Sequence, residues 1–264
     1  MFGFGKRKRA DSKGRPSSGG RLIYAVGDVH GRMDLLEELL GIIAVDAAAT
    51  QPGEAPILVF LGDYVDRGPA SREVIDCLVR LTTLTNIEVR MLKGNHEQAL
   101  MVFLVNPEFG PTWQQHGGAA TLASYGVGAP PTRTPVEPWE EARLAFIQAL
   151  PETHLAFLQS LELYVEYGDY VFVHAGLRPG VPLERQVEQD LLWIREEFMD
   201  ERRPFEKVVV HGHTPEAEPV FNRVRVGLDT GAYATGVLTA ARLYGTEQSV
   251  LQATAHGEPL AAAS

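Results

Sequence analysis

Short apolar runs alternate with stretches of helical spacing along the first hundred residues, and glycine closes several of the runs. "RLIYAVG" predicts a strand, and "RMDLLEELLGIIAVDAAA" places apolar residues at helical intervals. "APILVFLG" is a second strand, "SREVIDCLVRLTTL" a second helix and "IEVRML" a third strand, with a helix through "NHEQALMVFLV". Strand–helix alternation of this kind predicts parallel pairing in a layered α/β architecture. From 106 to 160 the pattern changes. Gly- and Pro-rich loops with a short helix near 118–125 precede helical pairs broken at Pro151, as in a cap or insertion beside the main sheet. Five more strand-like runs follow at close spacing: "LYVEYG", "DYVFVHAG", "KVVVHGHTP", "VRVGLDTG" and "TGVLTAARLYG". One helix, "QVEQDLLWIREEFM", lies between the second and third of them. This half predicts a mixed or antiparallel sheet packed on the first.

Composition narrows the class without naming a function. The 264 residues suffice for one large domain, and 45% hydrophobic with 22% charged residues is a globular balance. No run approaches the length of a membrane span, and Cys77 is the only cysteine, which excludes a disulfide framework and thiolate metal sites. A cytoplasmic setting is the expectation. The net charge of −10 is uneven: residues 1–20 carry six Lys or Arg against Asp11, a net of +5, leaving −15 for the remainder. The acidic body argues against a nucleic-acid partner. Residues 1–20 read as a disordered basic tail, 21–255 as the folded unit and 256–264 as a second tail.

The candidate chemistry sits where the strands stop. "GDVHG" supplies Asp28 and His30, "GDYVDRG" supplies Asp63, Asp66 and Arg67, and "GNHE" supplies Asn95, His96 and Glu97. His174 follows in "HAG", then His211 and His213 in "HGHTP", so five of the eight histidines stand at strand ends. Carboxylate, imidazole and amide oxygen together suit a divalent ion such as Mn, Fe or Zn. A lone strand-end histidine is usually a hydrogen-bonded structural residue; five endings of one chemical kind are not explained that way.

In order and spacing, these motifs resemble the signature of the phosphoprotein-phosphatase family of binuclear, calcineurin-like metallophosphoesterases, over about residues 22–245. "LLWIREEF" and "HGHTP…VGLDTG" resemble its compact bacterial and phage-lambda-type members, as does "WQQHGGAATLASYG". The resemblance implies an α/β/β/α fold, a central β-sandwich flanked by helices. It also implies two divalent ions, Mn2+ first and Fe or Zn next. Asp28 and His30 would hold one ion, Asp63 would bridge both, and Asn95, His174 and His213 would hold the other. His96 would be the general acid oriented by Asp66, with Arg67, Arg195 and Asn95 on the phosphate. The implied activity is hydrolysis of phosphoserine or phosphothreonine in proteins or peptides, with phosphotyrosine also open. Symmetrical diadenosine tetraphosphate hydrolysis on the same scaffold is the alternative, although those enzymes resemble "GDLVARG" and "GNHD" at the second and third motifs. A catalytically silent phospho-binding module is a third reading. Glu97 reads as a helix-start residue or a support, His211 as structural, and His116, His154 and His256 as exposed.

Overall fold

The computed structural model describes residues 14–255. In chain order, β1 (Leu22–Val26), α1 (Met33–Thr50), β2 (Ile57–Phe60), α2 (Ser71–Leu81), β3 (Glu88–Met91) and α3 (Asn95–Val105) form the alternating half. The insertion is more helical than its composition predicts. It holds a 3-10 turn at Pro107–Phe109, then α4 (Gly110–Gln115), α5 (Gly118–Ser124), α6 (Val136–Ala149) and α7 (Glu152–Gln159). The rest comprises β4 (Tyr164–Tyr167), β5 (Tyr170–Val173), α8 (Glu188–Trp193), α9 (Glu196–Met199), β6 (Val208–His211), β7 (Val220–Phe221), β8 (Arg225–Gly227), α10 (Ala232–Thr235), β9 (Val237–Tyr244) and β10 (Glu247–Thr254).

Two five-stranded sheets stack face to face, in the orders β10-β9-β1-β2-β3 and β4-β5-β6-β8-β7. Side-chain alternation dictates the layers. Ile23, Ala25, Ile57 and Val59 meet Val165, Phe172, Val210 and Val226 between the sheets. Tyr24, Val26, Leu58 and Phe60 face the other way, onto Leu35, Leu39, Ile75 and Leu100 of the first three helices. Val171, Val173 and Val209 cover Leu191, Ile194 and Phe198 on the outer face of the second sheet. The α/β/β/α order that the family resemblance implies is the order found.

Three details differ from the sequence expectation. β9 does not join the second sheet but crosses to the first, pairing antiparallel with β1 from Leu22↔Tyr244 to Val26↔Ala240. β10, which carries too few apolar residues to signal a strand, pairs along all of β9 and forms an exposed edge. The helix expected over 186–199 is broken between α8 and α9, because the Leu191 carbonyl accepts from Ala175 N (2.8 Å) instead of from a residue one turn on. At the break Arg195 takes φ −131° and ψ −100° and leaves the helix.

Part of the segment read as a basic tail is held to the folded body. Residues 1–13 and 256–264 lie outside the described residues, but residues 16–18 are fastened to the body. Ser18 N donates to the Gly245 carbonyl (2.8 Å), and Ser17 N to Asp169 Oδ2 (2.9 Å). The buried Ser18 hydroxyl donates to the Arg21 carbonyl (2.6 Å) and accepts from Gly245 N (2.9 Å). His154, expected to be exposed, is buried between Tyr125 Oη (2.8 Å) and Asp76 Oδ1 (2.9 Å), where it ties α7 to α2. Among the described residues no helix is long and apolar enough to cross a membrane.

Ser18→Ala removes two hydrogen bonds, to the half-buried Gly245 amide and the half-buried Arg21 carbonyl. It should therefore lower unfolding free energy by about 1 kcal/mol in urea titration. Wild-type stability would show that Ser18 does not hold this segment to the body in solution.

Candidate metal centre

β1, β2 and β3 run parallel in one sheet, and β5 and β6 in the other, so all five C-terminal ends open on one edge of the sandwich. Backbone bonds draw neighbouring ends together within each sheet. Val29 and His30 N both donate to the Asp63 carbonyl (3.1 and 2.8 Å), and Gly212 N donates to the His174 carbonyl (2.8 Å). The turns are tight enough to force non-glycine residues into left-handed backbone. His30, Asp63, Asp66, Arg67 and His213 all have φ between 45° and 72°, and Gln51 is the only other such residue among those described. Strain of this kind costs about 1–3 kcal/mol per residue and persists only where the surroundings hold it. Gly94 is obligatory here, since a Cβ would collide with Asp63 Oδ1.

Asp63 is the centre of the arrangement. Its Oδ1 lies 3.5 Å from His174 Nε2, and its Oδ2 lies 3.6 Å from His30 Nε2 and 3.9 Å from His96 Nε2. The two oxygens therefore face two different groups of imidazoles. Ligand atoms of His30, Asp63 and His96 converge as one triplet, and those of Asp63, His174 and His213 as another. His30 Nδ1 donates to the Val65 carbonyl and His174 Nδ1 to the Leu61 carbonyl, both at 2.8 Å, which leaves each Nε2 with a free lone pair aimed inward. Asn95 Oδ1 lies 2.8 Å from both His174 Nε2 and His213 Nδ1. His213 Nε2 is buried with no partner.

The charge states suit cations. Burial opposes ionisation of Asp63, but His174, His96, His30 and His213 outweigh it and hold the carboxyl far below its usual range. Burial pushes the His30 and His174 imidazoles down, and pulls His213 to about 2 with His174 beside it. Neutral imidazoles and an ionised carboxylate are the forms that bind metal. Asp28 is raised by burial, then by Asp229 and Asp63, while Asp229 is pushed up by burial to about 6. Crowded buried carboxylates and inward lone pairs need positive charge between them. The residues present fit two divalent ions.

Each sequence-predicted residue reaches this edge, though not always in its expected company. Asp28 is absent from both triplets: its two oxygens accept from His213 N (3.2 and 3.0 Å), bracing the far side. His96 Nδ1 lies 2.7 Å from Asp66 Oδ2, and its Nε2 3.3 Å from Arg67 Nη2. Burial opposes charge on His96, but Asp63 and Asp66 outweigh it and raise the imidazole above its ordinary value. Arg67 also lies over the Tyr233 ring, 4.5 Å from its centroid, and Tyr233 sits edge-on to His30. Arg195 is exposed at the rim, 3.5 Å from Thr214 Oγ1. His211 is buried and donates from Nδ1 to the Gly212 carbonyl, a structural place. His116 is exposed with its ring edge-on to His96 at 6.3 Å.

Glu97 proves more than a helix-start residue. Its Oε2 accepts from Asp63 N and Gly94 N, both at 2.9 Å, and its Oε1 from Tyr64 N (2.8 Å) and Val65 N (3.3 Å). One buried carboxylate thus gathers the loops after β2 and β3. Trp113 and Thr121, read in the sequence only as part of a family segment, both reach Asp66. No local pattern marks them, because the contacts span 47 and 55 residues.

Residues 21–235 match the family model of the calcineurin-like phosphoesterases. The asymmetrical bis(5'-nucleosyl)-tetraphosphatase PrpE of Anoxybacillus flavithermus is 27% identical over 242 residues, 84% of this chain and 90% of that protein. Serine/threonine-protein phosphatase 1 of Salmonella typhimurium is 30% identical over 231 residues, 84% of this chain and 92% of that protein. A crystal structure of a candidate diadenosine tetraphosphatase superposes with TM-score 0.58 at 22% identity, covering 90% of this chain and 96% of the other, which bears on the fold alone. The chain belongs to the calcineurin-like phosphoesterase family.

Glu97→Gln would turn an amide NH2 toward backbone N–H groups that now donate. It should cost about 3 kcal/mol of stability and weaken Mn2+ binding, read by denaturation and by calorimetric titration. Wild-type values in both would remove Glu97 from the organisation of the site.

Proposed function

Given membership of the calcineurin-like phosphoesterases, we propose that this chain hydrolyses phosphomonoesters on serine and threonine of proteins, with phosphotyrosine as a further substrate. The observation that carries the reading is the Asp66–His96 pair, 2.7 Å apart and buried beside Arg67. A serine or threonine alkoxide is a poor leaving group and needs a proton as it departs. A nucleoside polyphosphate leaves as a stabilised anion and gains little from an acid. An acid held this firmly is of most use for alkoxide departure.

In this reading Asp28, His30 and Asp63 hold one divalent ion, and Asp63, Asn95, His174 and His213 the second, with Mn2+ the first candidate and Fe or Zn the others. Such a pair supplies Lewis-acid charge for the phosphoryl oxygens and makes water nucleophilic near neutral pH. The chain's own residues do the remainder. Arg67 and Arg195 bind the phosphoryl oxygens with guanidinium donors, joined by Asn95. Asp66 keeps the proton on His96 Nδ1 and fixes the ring, while Nε2 delivers a proton to the departing oxygen. Tyr233 stacks on Arg67 and limits its rotation.

Asymmetrical dinucleoside tetraphosphate hydrolysis is the second reading, favoured by the PrpE-type relative that aligns over nearly the same span. The motif resemblance raised symmetrical cleavage, whereas this relative is named for the asymmetrical reaction. The discriminating experiment compares kcat/KM for phosphoserine, phosphothreonine and phosphotyrosine peptides with that for diadenosine tetraphosphate in Mn2+. Preference for the serine and threonine peptides is expected, with loss of all activity in excess chelator and recovery on adding Mn2+. Preference for the dinucleotide would overturn the protein-phosphatase reading, and activity persisting in chelator would overturn the metal dependence.

A further inference from the structure

Asp66 is fully buried, and its carboxylate is held from three sides. Trp113 Nε1 donates to Oδ2 at 2.9 Å, Thr121 Oγ1 donates to Oδ1 at 2.6 Å, and His96 Nδ1 meets Oδ2 at 2.7 Å. Thr121 Oγ1 also accepts from Asp66 N at 2.9 Å, and Ser71 Oγ accepts from the same amide at 3.1 Å. The two hydroxyls lie 3.2 Å apart, so the Ser71 proton is free to satisfy the remaining lone pair on Thr121. Trp113, Thr121 and Ser71 are themselves fully buried. Trp113 packs on Phe103 and Phe146, ring centroids 4.8 and 6.0 Å away, which fixes the direction of its N–H. Trp113 and Thr121 lie 47 and 55 residues from Asp66 in sequence, both in the insertion.

We infer that Trp113 and Thr121 are positioning residues for the acid: they lock both oxygens of Asp66 so that its free lone pair selects the Nδ1–H tautomer of His96 and turns Nε2 toward the leaving oxygen. A carboxylate whose only partner was one imidazole would be free to rotate about χ2 and release the ring. Two donors on separate oxygens remove that freedom. The insertion is thereby part of the proton-delivery apparatus as well as a cover over the core. The inference rests on the reading of His96 as general acid.

Its test uses Thr121→Val, which keeps the side-chain shape and loses the hydroxyl while the Asp66 amide keeps Ser71 Oγ, and Trp113→Phe, which loses the indole N–H and leaves a smaller ring, with Thr121→Ser as the conservative rescue. Each folded, Mn2+-loaded variant is assayed on a phosphothreonine peptide and on 2,4-dinitrophenyl phosphate, whose leaving group needs no proton. General acids contribute about 10²- to 10⁴-fold, so loosening one support should cut kcat on the peptide by about tenfold or more. KM, and the rate on the dinitrophenyl ester, should stay within about threefold, and Thr121→Ser should recover most of the loss. Imidazole 15N spectra of the metal-free protein give a readout independent of turnover. Recorded at a pH above the titration of His96, they should show the ring in the Nδ1–H form in wild type and Thr121→Ser, and averaged between tautomers in Thr121→Val. Equal losses on both substrates, no loss on either, or an unchanged tautomer in Thr121→Val would overturn the inference; should Thr121→Val fail to fold, Trp113→Phe carries both readouts. His96→Asn separates the two claims. If it shows no leaving-group-dependent loss, the acid reading itself fails; if it does and the support variants do not, only the inference fails.

Discussion

The carboxylate of Glu97, gripped by the amides of Asp63, Tyr64, Val65 and Gly94, is the constraint from which the site follows. It lies at 0% exposure, and four backbone donors compensate its removal from water. Through them it sets the loop after β2 against the start of α3. That contact places Asp63 where His96 N donates to its Oδ1 at 3.0 Å. With Asp63 fixed, its two oxygens divide the surrounding imidazoles into two groups. The strained left-handed turns at His30, Asp63, Asp66, Arg67 and His213 survive because this network leaves them no easier alternative.

Electrostatics then select what the site can hold. Burial keeps His30, His174 and His213 neutral, while Asp63 is held far below its usual range despite its own burial. Asp28 and Asp229 add carboxyl groups whose burial and mutual repulsion disfavour charge without a cation. The same edge separates two kinds of imidazole. Backbone carbonyls orient the inward-facing His30 and His174, whereas a carboxylate orients His96. A ring held by a carboxylate is suited to carrying a proton, and rings held by carbonyls are suited to offering a lone pair.

The layered fold and most site positions were legible in the sequence because each motif is contiguous and each follows an apolar strand. "GDVHG", "GDYVDRG" and "GNHE" carry their ligating groups within a few residues of a strand end, so local pattern sufficed. Contacts between distant segments were not legible. The grip of Trp113 and Thr121 on Asp66, the burial of His154 between α2 and α7, and the Ser18 clamp on Gly245 all join positions far apart in the chain. The break that frees Arg195 was hidden because its cause, the Ala175 amide, lies outside the helix it interrupts. β10 was missed because an exposed edge strand has no need of the apolar alternation that marks a buried one.

Family membership establishes the class of chemistry, and the split environment of Asp63 is the structural claim on which the proposed mechanism stands. The most direct test is an anomalous difference map from crystals grown with Mn2+, compared between wild type and Asp63→Asn. Two peaks flanking Asp63 in wild type, one beside His30 and one beside His174 and His213, are expected, with both weakened in the variant. A single peak, or two peaks unaffected by Asp63→Asn, would contradict the account.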